Sequence, residues 1–147
     1  MLRYPPEYLE GLTPQRMPPH TSNVKPGCIV MLLRNLSLRD GLCNGTRLRF
    51  LELRSSKKIM KCERLTARRE IEYIPGIKLV TLASDVLPFD LIRTQFPMKL
   101  CFSMSINKSQ GQTFNSVGLY LPQGSRVFTH GQLYVALSRC RWYQSFY

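Results

Sequence analysis

From Leu91 to the end of the chain there is no aspartate and no glutamate: all nine acidic residues fall within residues 1–90, while the remainder carries six Lys and Arg. A divalent metal at a phosphoryl-transfer site takes at least one carboxylate, and a general base usually is one. The second half therefore supplies neither from its own side chains. No GxxxxGK[ST] string, the glycine-rich wrap for a nucleotide's phosphates, occurs anywhere. Unless another chain or segment completes the site, this polypeptide is expected not to hydrolyse a nucleoside triphosphate.

Cysteine is sparse and unpaired in pattern. Cys28, Cys43, Cys62, Cys101 and Cys140 are odd in number, widely spaced, and include no CxxC. That favours reduced thiols on apolar strands over a disulfide framework or a zinc site. His20 and His130 are too isolated to supply a metal cluster, so no metal ligands are assigned. Long apolar runs are also missing, and the N-terminus lacks an apolar signal core. The expectation is a soluble, intracellular protein with no membrane partner.

What the chain does have is positive charge. The net charge is +12 over 147 residues, and the 44% hydrophobic content suffices for a packed core. One ordinary domain or two small ones fit this length. A basic excess of this size favours a polyanion, either nucleic acid or an anionic membrane face.

Along the chain, residues 1–24 hold five prolines with few apolar clusters, which predicts an extended or one-turn connector with room for a short helix near residues 7–11. After Lys25-Pro26-Gly27, CIVMLLRN reads as a buried strand. LSLRDGLCNGTRLRFLEL adds two glycine turns, Asp40-Gly41 and Asn44-Gly45, before a second strand. KKIMKCERL, EIEYIP and IKLVTL read as three more. Five short strands this close together predict a small SH3-like β-barrel, with residues 88–97 as a return connector. Beyond Pro97, MKLCFSMSI places Leu100, Phe102, Met104 and Ile106 on one face of a strand, and NSVGLYLP reads as another. Thr129 is placed to cap a helix running to about Arg139, with Leu133, Ala136 and Leu137 on one face. Strand, turn, strand, helix is α/β order. The fold class is thus α+β or mixed, with boundaries at 1–24, 25–96 and 97–147.

Two segments carry the candidate chemistry. In FSMSINKSQGQT a strand delivers Asn107, Lys108, Ser109, Gln110 and Gly111 into a tight turn, where an amide, a hydroxyl and an ammonium converge as a phosphate contact requires. An exposed polar turn with no ligand is the plainer alternative. In LYVALSR, Arg139 ends a helix and offers a planar cation to a second phosphate, or simply complements the helix dipole. The cluster Arg54, Lys57, Lys58, Lys61, Arg64, Arg68 and Arg69 fits either a nucleic-acid path or solvated strand edges. Trp142, Tyr143, Phe146 and Tyr147 fit base stacking or packing.

LTPQRMPPH, KPGCIVMLLRNL, GLCNGTRL, FPMKLCFSMSINKSQGQTF, VGLYLP and HGQLYVALSR together resemble the C-terminal part of Pif1-like DNA helicases, in particular the Helitron transposon branch. The likeness runs from about Pro5 to Arg139. It implies that residues 25–96 are the SH3-like 2B domain and residues 97–147 the closing part of a RecA-like domain 2A of a P-loop helicase. It further implies that SINKSQGQT is motif V and YVALSR motif VI. Asn107, Lys108, Ser109, Gln110 and Gly111 then contact single-stranded DNA, Gly111 and Thr113 lie near the nucleotide, and Arg139 is the catalytic arginine finger. The implied cofactors are ATP and Mg2+ in the intact family enzyme, with none bound by this chain alone. The implied partners are single-stranded DNA and an N-terminal RecA-like motor domain, and the implied compartment is nuclear or mitochondrial. Two departures stand out: Thr66-Ala67-Arg68-Arg69 replaces a Gly-containing turn, and CRWYQSFY replaces an expected core strand. A non-enzymatic nucleic-acid-binding module and a degenerate transposon remnant are the alternatives.

Overall fold

A computed structural model describes residues 4–14, 17–54, 56, 58–66, 68–84, 87–121 and 130–141. The chain divides into two compact units, Met1–Phe102 and Ser103–Tyr147.

The first unit is built on an antiparallel sheet of five strands. β1 (Ile29–Leu32), β2 (Arg47–Arg54), β3 (Ile59–Arg64) and β4 (Ile71–Pro75) follow one another as a meander. Two further strands, β5 (Ile77–Thr81) and β6 (Leu91–Gln95), pair only with each other, and β7 (Met98–Leu100) returns to the free side of β1. The sheet order is β4-β3-β2-β1-β7. The five strands expected from the sequence are all present. The pairing, however, is a five-stranded sheet plus a separate two-stranded one, with no closed barrel among the described residues.

Alternation along the strands explains the main core. Val30, Leu32, Leu48, Phe50, Met60, Cys62, Ile74 and Met98 point to one side and are buried together with Leu42. Burying each such side chain contributes about 1.5–3 kcal/mol before the entropy of ordering is counted. Period-2 alternation would put Glu52 on the same face as Leu48 and Phe50. A bulge prevents it: Phe50 pairs with Cys62 but Glu52 pairs with the adjacent Lys61, so Leu51 is the extra residue and Glu52 turns to the opposite face. There it meets the Lys61 ammonium at 3.3 Å.

The loop between β1 and β2 is irregular yet heavily bonded. Gly41 and Gly45 hold left-handed backbone at the two expected turns. Asn35 Oδ1 accepts from the Asn44 amide at 2.8 Å, and the Thr46 hydroxyl donates to the Gly41 carbonyl at 3.0 Å. Arg64 fastens this loop to the sheet: Nε bonds Glu72 at 2.6 Å and lies 3.6 Å from Glu70, while Nη2 donates to the Asp40 carbonyl.

Three readings of the sequence are corrected here. NSVGLYLP, expected as a strand, forms none over its described residues 115–121. Residues 88–97, expected as a connector, contain β6, whose flanking Pro88 and Pro97 disguise it. Residues 98–106, expected as one strand, supply only the three residues of β7, and Phe102 lies exposed beyond it. The proline-rich segment forms α1 (Pro6–Gly11) and then packs on the β5–β6 pair, with Met17, Leu79 and Leu91 as a second small core. Arg93 Nη2 donates to the carbonyls of Leu9 (2.7 Å) and Leu12 (3.3 Å), and Gln95 Nε2 to that of Pro19 (3.1 Å).

Arg64→Ala is expected to lower the unfolding free energy by about 2 kcal/mol, because the poorly exposed Glu72 carboxylate stays behind without its charged donor. A lower urea midpoint at unchanged slope reads this out. A second expectation concerns Cys62, whose complete burial pushes its thiol from 9.0 up to about 12. The folded state holds the proton more tightly than the unfolded chain, so this contribution is intact below pH 9 and is lost as pH rises toward 12. Thermal unfolding across that window should show a decline that Cys62→Ala makes shallower.

Candidate nucleic-acid interface

The segment expected as a tight turn is a single turn of helix, α2 (Ile106–Ser109). Ser105 precedes it in extended backbone, and the Lys108 amide donates to the Ser105 carbonyl at 2.9 Å. Gly111 follows the C-cap Gln110 at φ 78°, left-handed backbone of the kind that commonly ends a helix. Asn107, Lys108, Gln110, Gly111 and Thr113 are exposed. Ser109 is buried, and its hydroxyl donates inward to the Ile106 carbonyl at 2.6 Å. Among the described residues Lys108 makes no ion pair.

The second candidate segment forms α3 (Gln132–Leu137), entered through Gly131 at φ 80°. Thr129, the expected cap, lies outside the described residues, as do Lys57 and the aromatic residues at 142–147. Of the expected apolar face, Ala136 is buried, whereas Leu133 and Leu137 are exposed.

Arg139 is half-buried, and each of its three guanidinium nitrogens donates a hydrogen bond. Nε donates to the Val135 carbonyl at 3.1 Å, Nη2 to the Ser138 hydroxyl at 2.9 Å, and Nη1 to the Gln112 carbonyl at 3.4 Å. A guanidinium carries five N–H donors, and with no carboxylate side chain in this half of the sequence, carbonyl and hydroxyl oxygens take one on each of its three nitrogens. The main chain on either side is pinned as well: the Phe114 amide donates to the Arg139 carbonyl at 2.8 Å and the Arg141 amide to the Phe114 carbonyl at 3.2 Å. Thr113 thus sits between two residues that bond Arg139.

The structure therefore brings together two segments separated by some 25 residues of sequence. Gln132 Nε2 donates to Asn107 Oδ1 at 3.2 Å, and Gln112 Nε2 to the Lys108 carbonyl at 3.0 Å. Gln112 and Gln132 were not singled out from the sequence. Each is a polar residue beside a motif, and only contacts across the fold distinguish it from any other surface glutamine.

The basic cluster of the first unit is partly neutralised. Arg54 lies 2.8 Å from Glu52, which also holds Lys61, and Arg64 is committed to Glu72. Hydrogen bonds from Arg54 and Lys61 hold the Glu52 carboxyl below the usual carboxylate range. Lys58, Arg68 and Arg69 remain exposed, with no ion pair among the described residues. Arg69 takes φ 47° in the turn where glycine was expected.

No group of three or more His, Cys, Asp or Glu among the described residues is arranged to hold a metal ion. After Asp90 no Asp or Glu side chain is present to hold Mg2+. No helix among the described residues is long and apolar enough to cross a membrane.

Comparison with known proteins gives a consistent result. A family model described as "DNA helicase Pif1, 2B domain" matches residues 7–53. The ATP-dependent DNA helicase PIF1 of Homo sapiens is 33% identical over 147 aligned residues, covering 92% of this chain and 20% of that protein. Its Xenopus laevis counterpart is 33% identical, covering 80% and 18%. Among solved structures, the Pif1 helicase from Candida albicans superposes with a TM-score of 0.63 at 28% identity, covering 87% of this chain and 32% of that one. The Bacteroides Pif1 helicase in complex with ADP-AlF3 and ssDNA gives 0.57 at 27%, covering 85% and 29%. The chain spans about a fifth of the length of the curated relatives it matches. All these relatives are Pif1 helicases by name. The chain belongs to the Pif1 helicase family and carries a portion that contains its 2B domain.

Gly111→Ala meets no steric obstacle, since a Cβ there would find nothing within 4 Å, but it retains the left-handed backbone. The expected cost is about 1 kcal/mol from backbone strain alone. Thermal unfolding measures it, and Gly111→Asn should cost less.

Proposed function

We propose that this chain is the part of a Pif1-like, ATP-dependent DNA helicase that holds single-stranded DNA through residues 107–111 and contributes Arg139 to nucleotide hydrolysis. The observation that carries this reading is the joining of the two motifs: Arg139 bonds the Gln112 carbonyl, and Gln132 bonds Asn107. A residue that senses a transferred phosphoryl group is thereby wired to a turn exposing an ammonium and two amides. The Helitron branch, 5′ to 3′ movement and a nuclear or mitochondrial setting belong to the same reading.

In this proposal Lys108 and Asn107 grip backbone phosphates, Gly111 allows close approach, and Ser109 supports the turn from inside by bonding the Ile106 carbonyl. Thr113 and Gly111 lie toward the nucleotide. Arg139 leaves the Gln112 carbonyl when a phosphate competes for it, since a charged acceptor outbids a neutral one. ATP supplies the phosphoryl group, bound with Mg2+ largely by a separate N-terminal motor domain. Each cycle of cleft closure would shift the hold of the turn on the strand.

The test is reconstitution. Purified alone, the chain should release no phosphate from ATP in the presence of single-stranded DNA. Joined to a family N-terminal motor domain, it should gain DNA-stimulated hydrolysis. Arg139→Ala should then cut that rate by about a thousandfold or more, the scale of an arginine finger, with DNA affinity nearly unchanged. Hydrolysis by the lone chain, or full activity of the Arg139 variant, would sink the reading.

A further inference from the structure

We infer that Gln132 is a positioning residue that orients the Asn107 amide toward a nucleic-acid phosphate and couples that contact to the helix leading into Arg139. The inference rests on the reading of residues 107–111 as a contact for single-stranded DNA.

A side-chain amide has one accepting end and one donating end, whereas a phosphodiester only accepts. Gln132 Nε2 donates to Asn107 Oδ1 at 3.2 Å. That bond occupies the accepting end, and the Nδ2 hydrogens of the exposed Asn107 have no partner among the described residues. With Gln132 in place, the donating end is the one offered to an anion. Without it, the amide turns freely, and half of its orientations aim an oxygen at the phosphate.

The same bond closes a loop of contacts. Gln132 opens α3, and Arg139 lies just beyond its end. Arg139 Nη1 bonds the Gln112 carbonyl, and Gln112 Nε2 bonds the Lys108 carbonyl, one residue from Asn107. A phosphate that draws on Asn107 and Lys108 therefore loads both ends of the circuit that holds the guanidinium. Gln132 is the only member of that circuit which reaches α2 from the start of α3 through a side chain on each side. Its bond is neutral and solvent-accessible, so it can break and re-form as the turn changes its hold.

Nuclear magnetic resonance on the full chain tests this. The isotope-labelled protein is titrated with an oligothymidylate of about 12 nucleotides, within the usual single-strand site size. The backbone amides of residues 107–111 and the Nε–H of Arg139 should shift together. Gln132→Leu should weaken binding several-fold and shrink the Arg139 shift to the part carried through Gln112, while the turn still responds. Asn107→Ala should weaken binding by a similar factor, and the double variant should be no worse than either single one. Gln132→Met, closer in length, guards against a packing defect introduced by leucine, and retained spectral dispersion confirms folding. An Arg139 response undiminished in both Gln132 variants, or losses that multiply in the double variant, overturns the inference while leaving the DNA contact intact. Absence of any shift in residues 107–111 of the unsubstituted chain refutes the DNA contact itself, and the inference falls with it.

Discussion

The inner strand that receives the last strand of the sheet governs the first unit. β1 pairs with β2 through Ile29, Val30 and Met31, and with β7 through Val30, Met31 and Leu32. An inner strand leaves no unpaired amide edge, and its side chains are buried on both faces: Val30 and Leu32 join the main core, while Met31 packs with Cys101 at a sulfur separation of 3.9 Å. The cost is a long-range contact, because β7 arrives only after the whole meander and the β5–β6 pair have been laid down. That return carries the chain from the sheet to the segment that opens α2.

A second constraint is chemical. The stretch after Asp90 has no carboxylate, so its cations cannot be neutralised by neighbours in sequence. Arg139 is instead surrounded by the oxygens of Val135, Ser138 and Gln112. Carbonyl oxygens hold a guanidinium more weakly than a carboxylate does. A site arranged this way keeps its cation in position yet exchangeable, which suits a residue whose proposed partner is a phosphate. Arg64 in the first unit is the opposite case: it is locked by Glu72 and the Asp40 carbonyl, and it serves the fold. Arginines that look alike in the sequence thus separate into structural and available ones according to the acids that tertiary contacts deliver.

Much of the first unit was legible from local pattern. IVML, RLRFLELR, IMKCER, IEYIP and IKLVT all became strands, because branched and aromatic residues bounded by glycine and proline turns leave few other options. LIRTQ was missed since the prolines on both sides suggested a connector, and a two-stranded pair half in solvent leaves only a faint alternation. FSMS misled in the other direction: alternating apolar residues suggested a strand, but Phe102 is exposed and the chain turns into α2. At the candidate site the sequence pointed to Asn107, Lys108, Gly111 and Arg139. It could not point to Gln112 or Gln132, whose contacts join positions with no periodic relation.

The sequence by itself determined the charge imbalance, the absence of a phosphate-wrapping loop, and the first five strands with their turns. These are properties of residue type and short spacing. Tertiary structure alone decided that the sheet takes β7 as its fifth member, that Glu52 faces Lys61 across a bulge, and that the proline-rich segment packs on the β5–β6 pair. It also decided that Asn107 and Arg139 belong to one connected set of hydrogen bonds. The reason is common to all four: each depends on which distant donor or acceptor comes within about 3 Å, and composition and period carry no record of that distance.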